Sequence, residues 1–278
     1  MKSTTLAVLF VAVAFCAAGC ADSTGNPLPA DLADLPRDTG GRLDSHSLAS
    51  GTSFEYNHFV YLPSGAIAGI GRYPLLVYLH GDGPTDDQPL ATVLYQGPQS
   101  LISQHKWHPA CPMILVAPQN HGPLGSSWDI SKLQGFLKWV LRTYPVDSSR
   151  VYLTGVSQGG FGTYSYLTTA RDTSLVAAAV PVMGGGSPSL ARYVTVPVWA
   201  FHGDSDKTVS PIRDAVMIDS IRARHPDLDV RITMFPGIGH ETNGWLWVYD
   251  RPDTVRTNPA YDPYFQDIYT WMIQFKRP

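Results

Sequence analysis

The sequence predicts an α/β fold, with a mostly parallel central sheet and helices on both of its faces. Two observations indicate this class. From Phe54 onward, short apolar runs rich in β-branched residues alternate with segments of helical periodicity, as strands and helices do in βαβ units. The chain has 278 residues, which is enough for one sizeable core. We therefore expect a single layered domain.

The composition is that of a folded globular protein. Hydrophobic residues make up 44% of the chain and charged residues 15%, whereas disordered chains are rich in charge and poor in apolar residues. The formal net charge is -3, and no run of Lys or Arg occurs. Because binding to a phosphate backbone needs a basic surface, no nucleic-acid partner is expected.

Individual elements follow from the same patterns. Each predicted strand is a short apolar run bounded by turn residues, and the seven strands span 55–62, 75–79, 113–117, 151–154, 177–182, 196–201 and 230–235. Apolar residues at helical spacing predict helices over 133–141, 161–170, 212–221 and 265–275. Pro145 ends the first of these helices, because proline lacks the amide that would continue it.

Residues 1–19 have the pattern of an export signal. A short basic start precedes an apolar run over 6–15 that is too short to span a bilayer. Residues 17–20 read Ala-Ala-Gly-Cys, which resembles the lipobox of bacterial lipoproteins, where the cysteine becomes the lipid anchor. Ala17 stands where leucine is usual, and small residues there also suit the ordinary signal peptidase. We therefore predict a membrane-anchored lipoprotein attached through Cys20, with a secreted or periplasmic protein as the alternative.

Residues 20–43 are predicted as a linker between the signal and the domain. They are rich in Pro, Asp and Gly and have no periodicity. The folded domain then spans residues 44–278. Cys111 is the one cysteine in that range, so an internal disulfide is not expected, and we interpret Cys111 as a buried packing residue.

A GxSxG motif follows the strand predicted at 151–154. Residues 155–159 read GVSQG, and helical periodicity begins at Phe161. A strand, a sharp turn and a helix form the setting in which this motif presents a nucleophilic serine. Glycines are needed there because the turn brings two backbones close together. The motif predicts Ser157 as a nucleophile, and a glycine-rich turn in a nucleotide-binding unit is the alternative.

A serine hydroxyl needs a base, and the base needs a group that fixes its tautomer. His240 follows the last predicted strand in a glycine-lined loop and is the candidate base. Two carboxylates, Asp204 and Asp206, follow the strand predicted at 196–201. Either carboxylate is a candidate for the group that orients the histidine.

The remaining histidines have no convergent setting. His80 and His202 begin His-Gly pairs at the ends of earlier strands, where we interpret them as structural residues that hydrogen bond their own loops. No group of residues has metal-ligand spacing, so neither a catalytic metal nor a cofactor is expected.

An oxyanion formed when Ser157 attacks a carbonyl group needs two amide donors. The first is the amide of Gln158, which directly follows the serine. The second is predicted in the loop of residues 80–83, which reads His-Gly-Asp-Gly after an early strand. The Asp82 amide is the preferred donor there, and the Gly81 amide is the alternative.

Together these motifs resemble the esterase and predicted-peptidase branch of the α/β-hydrolases. That group includes feruloyl and acetylxylan esterases and polyhydroxybutyrate-depolymerase-like proteins. The resemblance spans nearly all of the predicted domain, and the matching stretches are 75–83, 115–119, 146–163, 202–209 and 239–240 with Trp245. It implies the α/β-hydrolase fold, in which serine, aspartate and histidine occur in this chain order.

The resemblance also implies roles for individual residues. Its HGxxDxxV pattern places the acid at Asp206, whereas Asp204 would brace the loop through its side chain. Trp128 lies where such enzymes often have an aromatic wall of the substrate pocket, and packing within its own loop is the alternative. Methionine is common in the family where Gln158 stands, and the loop from His240 to Trp245 is longer than usual, so the shape of the pocket is not carried over.

The implied function is that of an exported serine hydrolase that cleaves carboxylic esters through an acyl-enzyme. Residues 183–195, between two predicted strands, are too few for a folded cap, so we expect no large cap domain and an open cleft. An open cleft suits a bulky substrate such as an acylated polysaccharide. A serine peptidase with the same three residues is the first alternative, and a non-catalytic binding lipoprotein is the second.

Overall fold

The structure is a computed structural model that describes residues 28–47, 56–83, 88–120, 125–252 and 254–278. The predicted signal peptide, Cys20 as the lipid anchor and the first part of the predicted linker lie outside the described residues. No helix among the described residues combines the length and the apolar character needed to cross a membrane.

The described residues form a sheet of eight strands. The strands are β1 (Arg42–His46), β2 (His58–Leu62), β3 (Tyr73–Leu79), β4 (Ile114–Pro118), β5 (Val146–Val156), β6 (Ala178–Val182), β7 (Val198–Gly203) and β8 (Val230–Phe235). Their order across the sheet is β1-β2-β4-β3-β5-β6-β7-β8. The pairs β1/β2 and β2/β4 are antiparallel, and all other neighbours are parallel.

All seven predicted strands are present, with bounds shifted by a few residues. The largest change is in β5, which begins at Val146 rather than at Val151, because its first residues continue the pairing with Tyr73 of β3. The additional strand, β1, lies at the edge of the sheet and is half-exposed along its length. A half-exposed edge strand lacks the apolar run by which the other strands were found, and this explains why it was missed.

Helices cover both faces of the sheet. They are α1 (Ala30–Ala33), α2 (Ser64–Ile67), α3 (Pro98–Ser103), α4 (Ile130–Thr143), α5 (Gln158–Ala170), α6 (Ile212–Arg224), α7 (Thr242–Asp250) and α8 (Ile268–Met272). Short 3₁₀ helices occur at Leu90–Tyr95, Arg171–Thr173 and Pro188–Tyr193. Helices α4, α5 and α6 share one apolar cluster, and α1, α3, α7 and α8 share the other.

The strand sequences explain why both faces are covered. Every residue of β3 is buried. Because successive side chains of a strand point to opposite faces, Leu75 and Val77 join the first cluster, while Leu76 and Tyr78 join the second. A strand that is apolar at every position needs a helix layer on each side, which is the arrangement of a parallel sheet.

Two segments differ from the expected helices. The C-terminal helix, predicted over 265–275, spans only Ile268–Met272, because the Asp267 side chain accepts a hydrogen bond from the Thr270 amide and caps the helix at that point. Phe265 lies before the cap and is 44% exposed. The segment after His240, treated as a loop in the sequence, forms α7.

Between β6 and β7 the chain forms only the 3₁₀ helix Pro188–Tyr193. This connection is too short to build a folded cap, and no large cap domain is present among the described residues. The predicted α/β class, with helices on both faces, is confirmed.

The N-terminal segment packs on the domain from residue 28 onward. Leu28 and Leu32 are buried in the second cluster, and the Asp31 carboxylate lies 2.6 Å from Arg150 Nη2 and 3.0 Å from Lys276 Nζ. Part of the predicted linker over 20–43 therefore belongs to the folded structure. Leu28, Leu32 and Leu35 do stand at helical spacing, but the run is short, contains Pro29 and ends before Pro36, so the Pro-rich composition hid it.

The Asp31 ion pairs make a pH-dependent contribution to stability. Hydrogen bonds from Arg150 and Lys276 lower the pKa of Asp31 from 3.8 to about 2, so the contribution is complete above the ordinary pKa and is lost as the pH falls through the lowered one. We predict that Asp31→Asn lowers the free energy of unfolding by about 0.5–1 kcal/mol near neutral pH, a modest value because Asp31 is partly exposed. Chemical denaturation should show this difference shrinking below the ordinary pKa. The exposed Asp34→Asn change is the control, and an equal effect of both variants would contradict the assignment.

Candidate active site

The turn between β5 and α5 holds Ser157 in an unusual backbone conformation. Its φ and ψ angles are 52° and -116°, a region that residues with side chains rarely adopt. The Ser157 amide donates to the Val182 carbonyl at 2.8 Å, and its carbonyl accepts from the Phe161 amide at 3.0 Å. The strand therefore passes directly into the helix, with the serine at the turn, as the GxSxG motif predicts.

Two glycines allow this turn to lie against the sheet. A Cβ atom on Gly159 would overlap the Leu79 carbonyl oxygen of β3, and one on Gly155 would lie 2.6 Å from the Gly159 carbonyl. Both contacts are with backbone atoms, which have no alternative rotamer. A larger residue at either position would push the turn away from the end of β3.

The structure brings Ser157, His240 and Asp206 together. The Ser157 hydroxyl lies 2.8 Å from His240 Nε2, and His240 Nδ1 lies 2.6 Å from Asp206 Oδ2. An ionised carboxylate can only accept, so Nδ1 carries the proton and Nε2 is left to accept the proton of the serine hydroxyl. This is the geometry of a nucleophile, a base and an orienting acid. The Asp206 side chain is fully buried, and that of His240 is 11% exposed.

Asp206 is held in its ionised form. Its Oδ1 atom accepts hydrogen bonds from the amides of Thr208 and Val209, both at 2.8 Å. Burial acts to raise the pKa of Asp206, but the hydrogen bonds from Val209, His240 and Thr208 outweigh it and lower the pKa below its usual range. The carboxylate is therefore available to His240 near neutral pH.

The neighbouring carboxylate has a different environment. Asp204 Oδ1 accepts from the Gly237 amide at 2.8 Å and from the Ser205 hydroxyl at 3.1 Å. Asp204 thus ties its own loop to the loop after β8, the bracing expected for it, and Asp206 is the carboxylate that contacts His240.

Trp245 supports the histidine from the first turns of α7. Its ring packs edge-on against the His240 imidazole, with 5.4 Å between ring centroids, and its indole N–H points to the Met183 sulfur at 3.1 Å. Met183 follows β6 with a positive φ of 47°. The sequence marked Trp245 only through the family resemblance, and no local pattern pointed to its contact with the histidine.

The loop after β3 lies beside the serine. The Gly81 amide donates to Gln96 Oε1 at 3.0 Å, so it is already engaged, and Asp82 remains the preferred second donor to an oxyanion. Asp82 Oδ1 accepts from the Gly125 amide at 2.8 Å, which fixes the loop. Gln158 is the first residue of α5, where amides lack helical partners and point toward negative charge. Gln96 was missed because a single glutamine in an unpatterned segment carries no local signal.

His80 and Trp128 have structural contacts. His80 Nδ1 donates to the Gly81 carbonyl at 2.6 Å, and Nε2 accepts from the Asn120 amide at 2.8 Å. Burial lowers the pKa of His80 to about 4, so the ring is neutral. Trp128 is only 4% exposed and would block a Cβ on Gly162 of α5 at 2.7 Å. Its burial and its contact with α5 favour the packing alternative, and a substrate contact of Trp128 stays a prediction.

Other features that could form a functional site among the described residues would be a metal-binding cluster, a cavity or a cysteine. Within those residues no group of three or more His, Cys, Asp and Glu side chains is arranged to hold a metal ion. A cavity of about 750 Å³ lies beside β1, lined by the segments 37–43 and 102–112, and includes none of the three residues around Ser157. Cys111 is buried, as expected for a packing residue.

Solved structures share this fold. A thermostable esterase matches with a TM-score of 0.60 and 23% sequence identity, over 85% of this chain and 63% of that chain. This chain therefore spans less than two thirds of the esterase's length. The feruloyl esterase module from Clostridium thermocellum, in a mutant complexed with sinapinate, matches with a TM-score of 0.54 and 19% identity over 77% of this chain and 88% of the module. An acylaminoacyl peptidase from Pyrococcus horikoshii has a TM-score of 0.52 and 14% identity, over 73% of this chain and 38% of the peptidase.

These similarities establish that the chain has the α/β-hydrolase fold, as the motifs around Ser157 predicted. At these identities they establish the fold alone. No protein-family model matches the sequence. No curated protein matches it either.

The close contact at Gly159 gives a test of the turn. We predict that Gly159→Ala destabilises the protein by roughly 2 kcal/mol or more, because its Cβ would overlap the Leu79 carbonyl. Gly239→Ala is the matched control, since a Cβ there has no atom closer than 4.0 Å. Thermal unfolding of both variants measures the difference. Equal melting temperatures would show that the backbone does not approach this closely.

Proposed function

We propose that this protein is an exported serine hydrolase that cleaves carboxylic esters through an acyl-enzyme. The observation that carries the proposal is the continuous hydrogen-bonded chain from Ser157 through His240 to Asp206, with separations of 2.8 and 2.6 Å. Such a chain makes a neutral hydroxyl reactive, because the histidine takes its proton as the bond to the carbonyl carbon forms.

In the first half of the reaction, Ser157 Oγ attacks the ester carbonyl and His240 Nε2 takes the hydroxyl proton. Asp206 stays ionised and stabilises the imidazolium that forms. The carbonyl oxygen becomes an oxyanion, which accepts hydrogen bonds from the amides of Gln158 and Asp82. His240 then gives its proton to the departing alcohol oxygen, and the acyl group remains on Ser157.

In the second half, a water molecule attacks the acyl-enzyme. His240 takes a proton from the water as its oxygen bonds to the acyl carbon, and the same two amides hold the second oxyanion. Collapse of this intermediate breaks the bond to Ser157 Oγ, and His240 returns the proton to the serine. Carboxylic acid is released, and the enzyme is restored without a metal or cofactor.

For the natural substrate we propose an acylated polysaccharide. No folded cap covers the sheet edge among the described residues, and an uncovered edge suits a polymer that must approach from solution. The feruloyl esterase module, which was solved with the aromatic acid sinapinate, shares the fold. Acetyl and feruloyl esters of plant polysaccharides are therefore the compounds to test.

We further propose that the protein is exported and anchored in the membrane through lipidated Cys20, with a secreted or periplasmic form as the alternative. The support is the order of a basic start, an apolar run and a small-residue segment ending in that cysteine. A catalytic domain outside the cytoplasm would reach a polymeric substrate directly.

Hydrolysis of p-nitrophenyl acetate tests the catalytic residues. We expect Ser157→Ala and His240→Ala, each shown to be folded by circular dichroism, to lower kcat by at least about a thousandfold, because each removes a member of one catalytic unit. Asp206→Asn should lower kcat by a similar factor, since asparagine leaves the histidine in the wrong tautomer. Asp204→Asn is the matched control and should keep most of the activity. Folded variants with wild-type kcat would contradict the assignment.

Product analysis with natural esters tests the substrate class. The signal-free domain should release acetate or ferulate from acylated xylan, measured by chromatography of the products. Activity confined to small soluble esters would contradict the polysaccharide proposal while leaving the esterase intact. Cleavage of peptide substrates in place of esters would favour the peptidase, whose leaving amine the same histidine can protonate. Turnover of neither class would favour the binding protein.

A further inference from the structure

A second histidine faces the carboxylate of Asp206. His202, at the end of β7, is fully buried, and its Nε2 atom lies 3.2 Å from Asp206 Oδ2, the oxygen that His240 Nδ1 also contacts at 2.6 Å. The same Nε2 donates to the Val209 carbonyl at 3.0 Å. One carboxylate oxygen is therefore approached by two imidazole rings, one from the end of β7 and one from the loop after β8.

The partners of His202 determine where its protons are. Both groups near Nε2 are acceptors, the Val209 carbonyl and the Asp206 carboxylate, so Nε2 carries a hydrogen. Nδ1 lies 2.6 Å from Asp214 Oδ2, and two acceptors cannot meet at that distance without a proton between them. The His202 and Asp214 pair thus holds two protons, one directed at Asp214 and one at the turn that contains Asp206.

Asp214 fixes the ring from the other side. It belongs to α6, is fully buried, and its Oδ2 atom also lies 3.3 Å from the amide of Gly184, after β6. Burial acts to lower the pKa of His202, but the hydrogen bond and the charge of Asp214 raise it above its usual value. Tyr164 of α5 also faces this carboxylate, and burial together with Asp214 raises the pKa of the tyrosine. The tyrosine therefore stays neutral.

The charges of this cluster balance when His240 is protonated. The groups facing one another are two carboxylates, Asp206 and Asp214, and two imidazoles, His202 and His240. With two protons the pair of His202 and Asp214 has no net charge, and the imidazolium formed on His240 during ester cleavage balances the remaining carboxylate, Asp206. Buried charges that are paired in this way avoid the cost of desolvating an isolated ion.

We propose that His202 is a positioning residue for the reaction, which holds the turn of residues 206–209 so that the Asp206 carboxylate stays directed at His240. The Thr208 and Val209 amides bind Asp206 Oδ1, and His202 Nε2 binds the carbonyl of the same Val209. Releasing that carbonyl frees the turn that orients the carboxylate. This inference rests on the proposed esterase function.

Two substitutions separate positioning from simple structural support. In His202→Gln the amide nitrogen takes the place of Nε2 and keeps the donor toward Val209, whereas in His202→Asn the amide nitrogen takes the place of Nδ1 and loses it. We expect His202→Asn to lower kcat about 10- to 100-fold with KM nearly unchanged, as the loss of a hydrogen bond in a charged site does. His202→Gln should keep most of the wild-type kcat. His225→Asn is the control, because the His225 ring nitrogen Nε2 lies 3.2 Å from the Arg192 carbonyl on an exposed part of the surface.

A measurement that needs no substrate tests the role of His202 independently of the esterase proposal. In nitrogen-labelled wild-type protein, NMR should show hydrogen on both ring nitrogens of His202 and a strongly deshielded N–H on His240 Nδ1. The His240 signal should shift or broaden in His202→Asn and persist in His202→Gln. If the wild type cleaves no ester, the function proposal fails, while these spectra still test the positioning.

Three results would overturn the inference. The first is a folded His202→Asn variant with wild-type kcat and an unchanged His240 signal. The second is an equal loss of kcat in the Asn and Gln variants, because that indicates support of the fold alone. The third is a wild-type His202 whose Nε2 carries no hydrogen, a result that stands even if neither variant folds.

Discussion

The sharp turn at Ser157 depends on how closely α5 approaches the end of β3. The strained serine conformation is maintained because Gly159 lies against the Leu79 carbonyl and because the Ser157 amide donates to Val182 of β6. Strands β3 and β6 flank β5 on either side. Both contacts therefore require three parallel strands in register, so the central sheet determines where the serine hydroxyl lies.

The parallel arrangement also assembles the rest of the site. Strands β5, β7 and β8 run in one direction, so the loops after them meet at the same edge of the sheet, as carboxyl ends of parallel strands do. Ser157 and His240 are 83 residues apart in sequence, and Asp206 and His240 are 34 apart. Each residue needs only to follow its own strand directly, since the sheet supplies the long-range order.

Burial gives the polar groups at this edge their chemical state. Asp206 is removed from water, yet it remains ionised because two amides and an imidazole donate to it. His80 is also buried, but burial outweighs its weaker interactions with the Gly81 carbonyl and with Asp82, and its pKa falls to about 4. Two buried histidines thus have pKa values shifted in opposite directions, since Asp214 lies beside His202 and raises its pKa, whereas backbone groups hydrogen bond to His80.

The sequence by itself placed Ser157 after one predicted strand and His240 after a later one, each beside glycines, and it offered Asp204 and Asp206 after a strand between them. The resemblance to a known family favoured Asp206, and the structure shows that this carboxylate contacts His240. It missed β1, because this edge strand has one apolar residue, Leu43, among five, and it left Trp128 undecided between pocket and core. Tertiary structure alone decided that Trp128 is buried, that Gln96 engages the Gly81 amide and that His202 contacts Asp206. These contacts join segments that are distant in sequence or separated by turns. A local hydrophobic pattern or motif cannot predict them, because it carries no information about which side chains the folded sheet brings together.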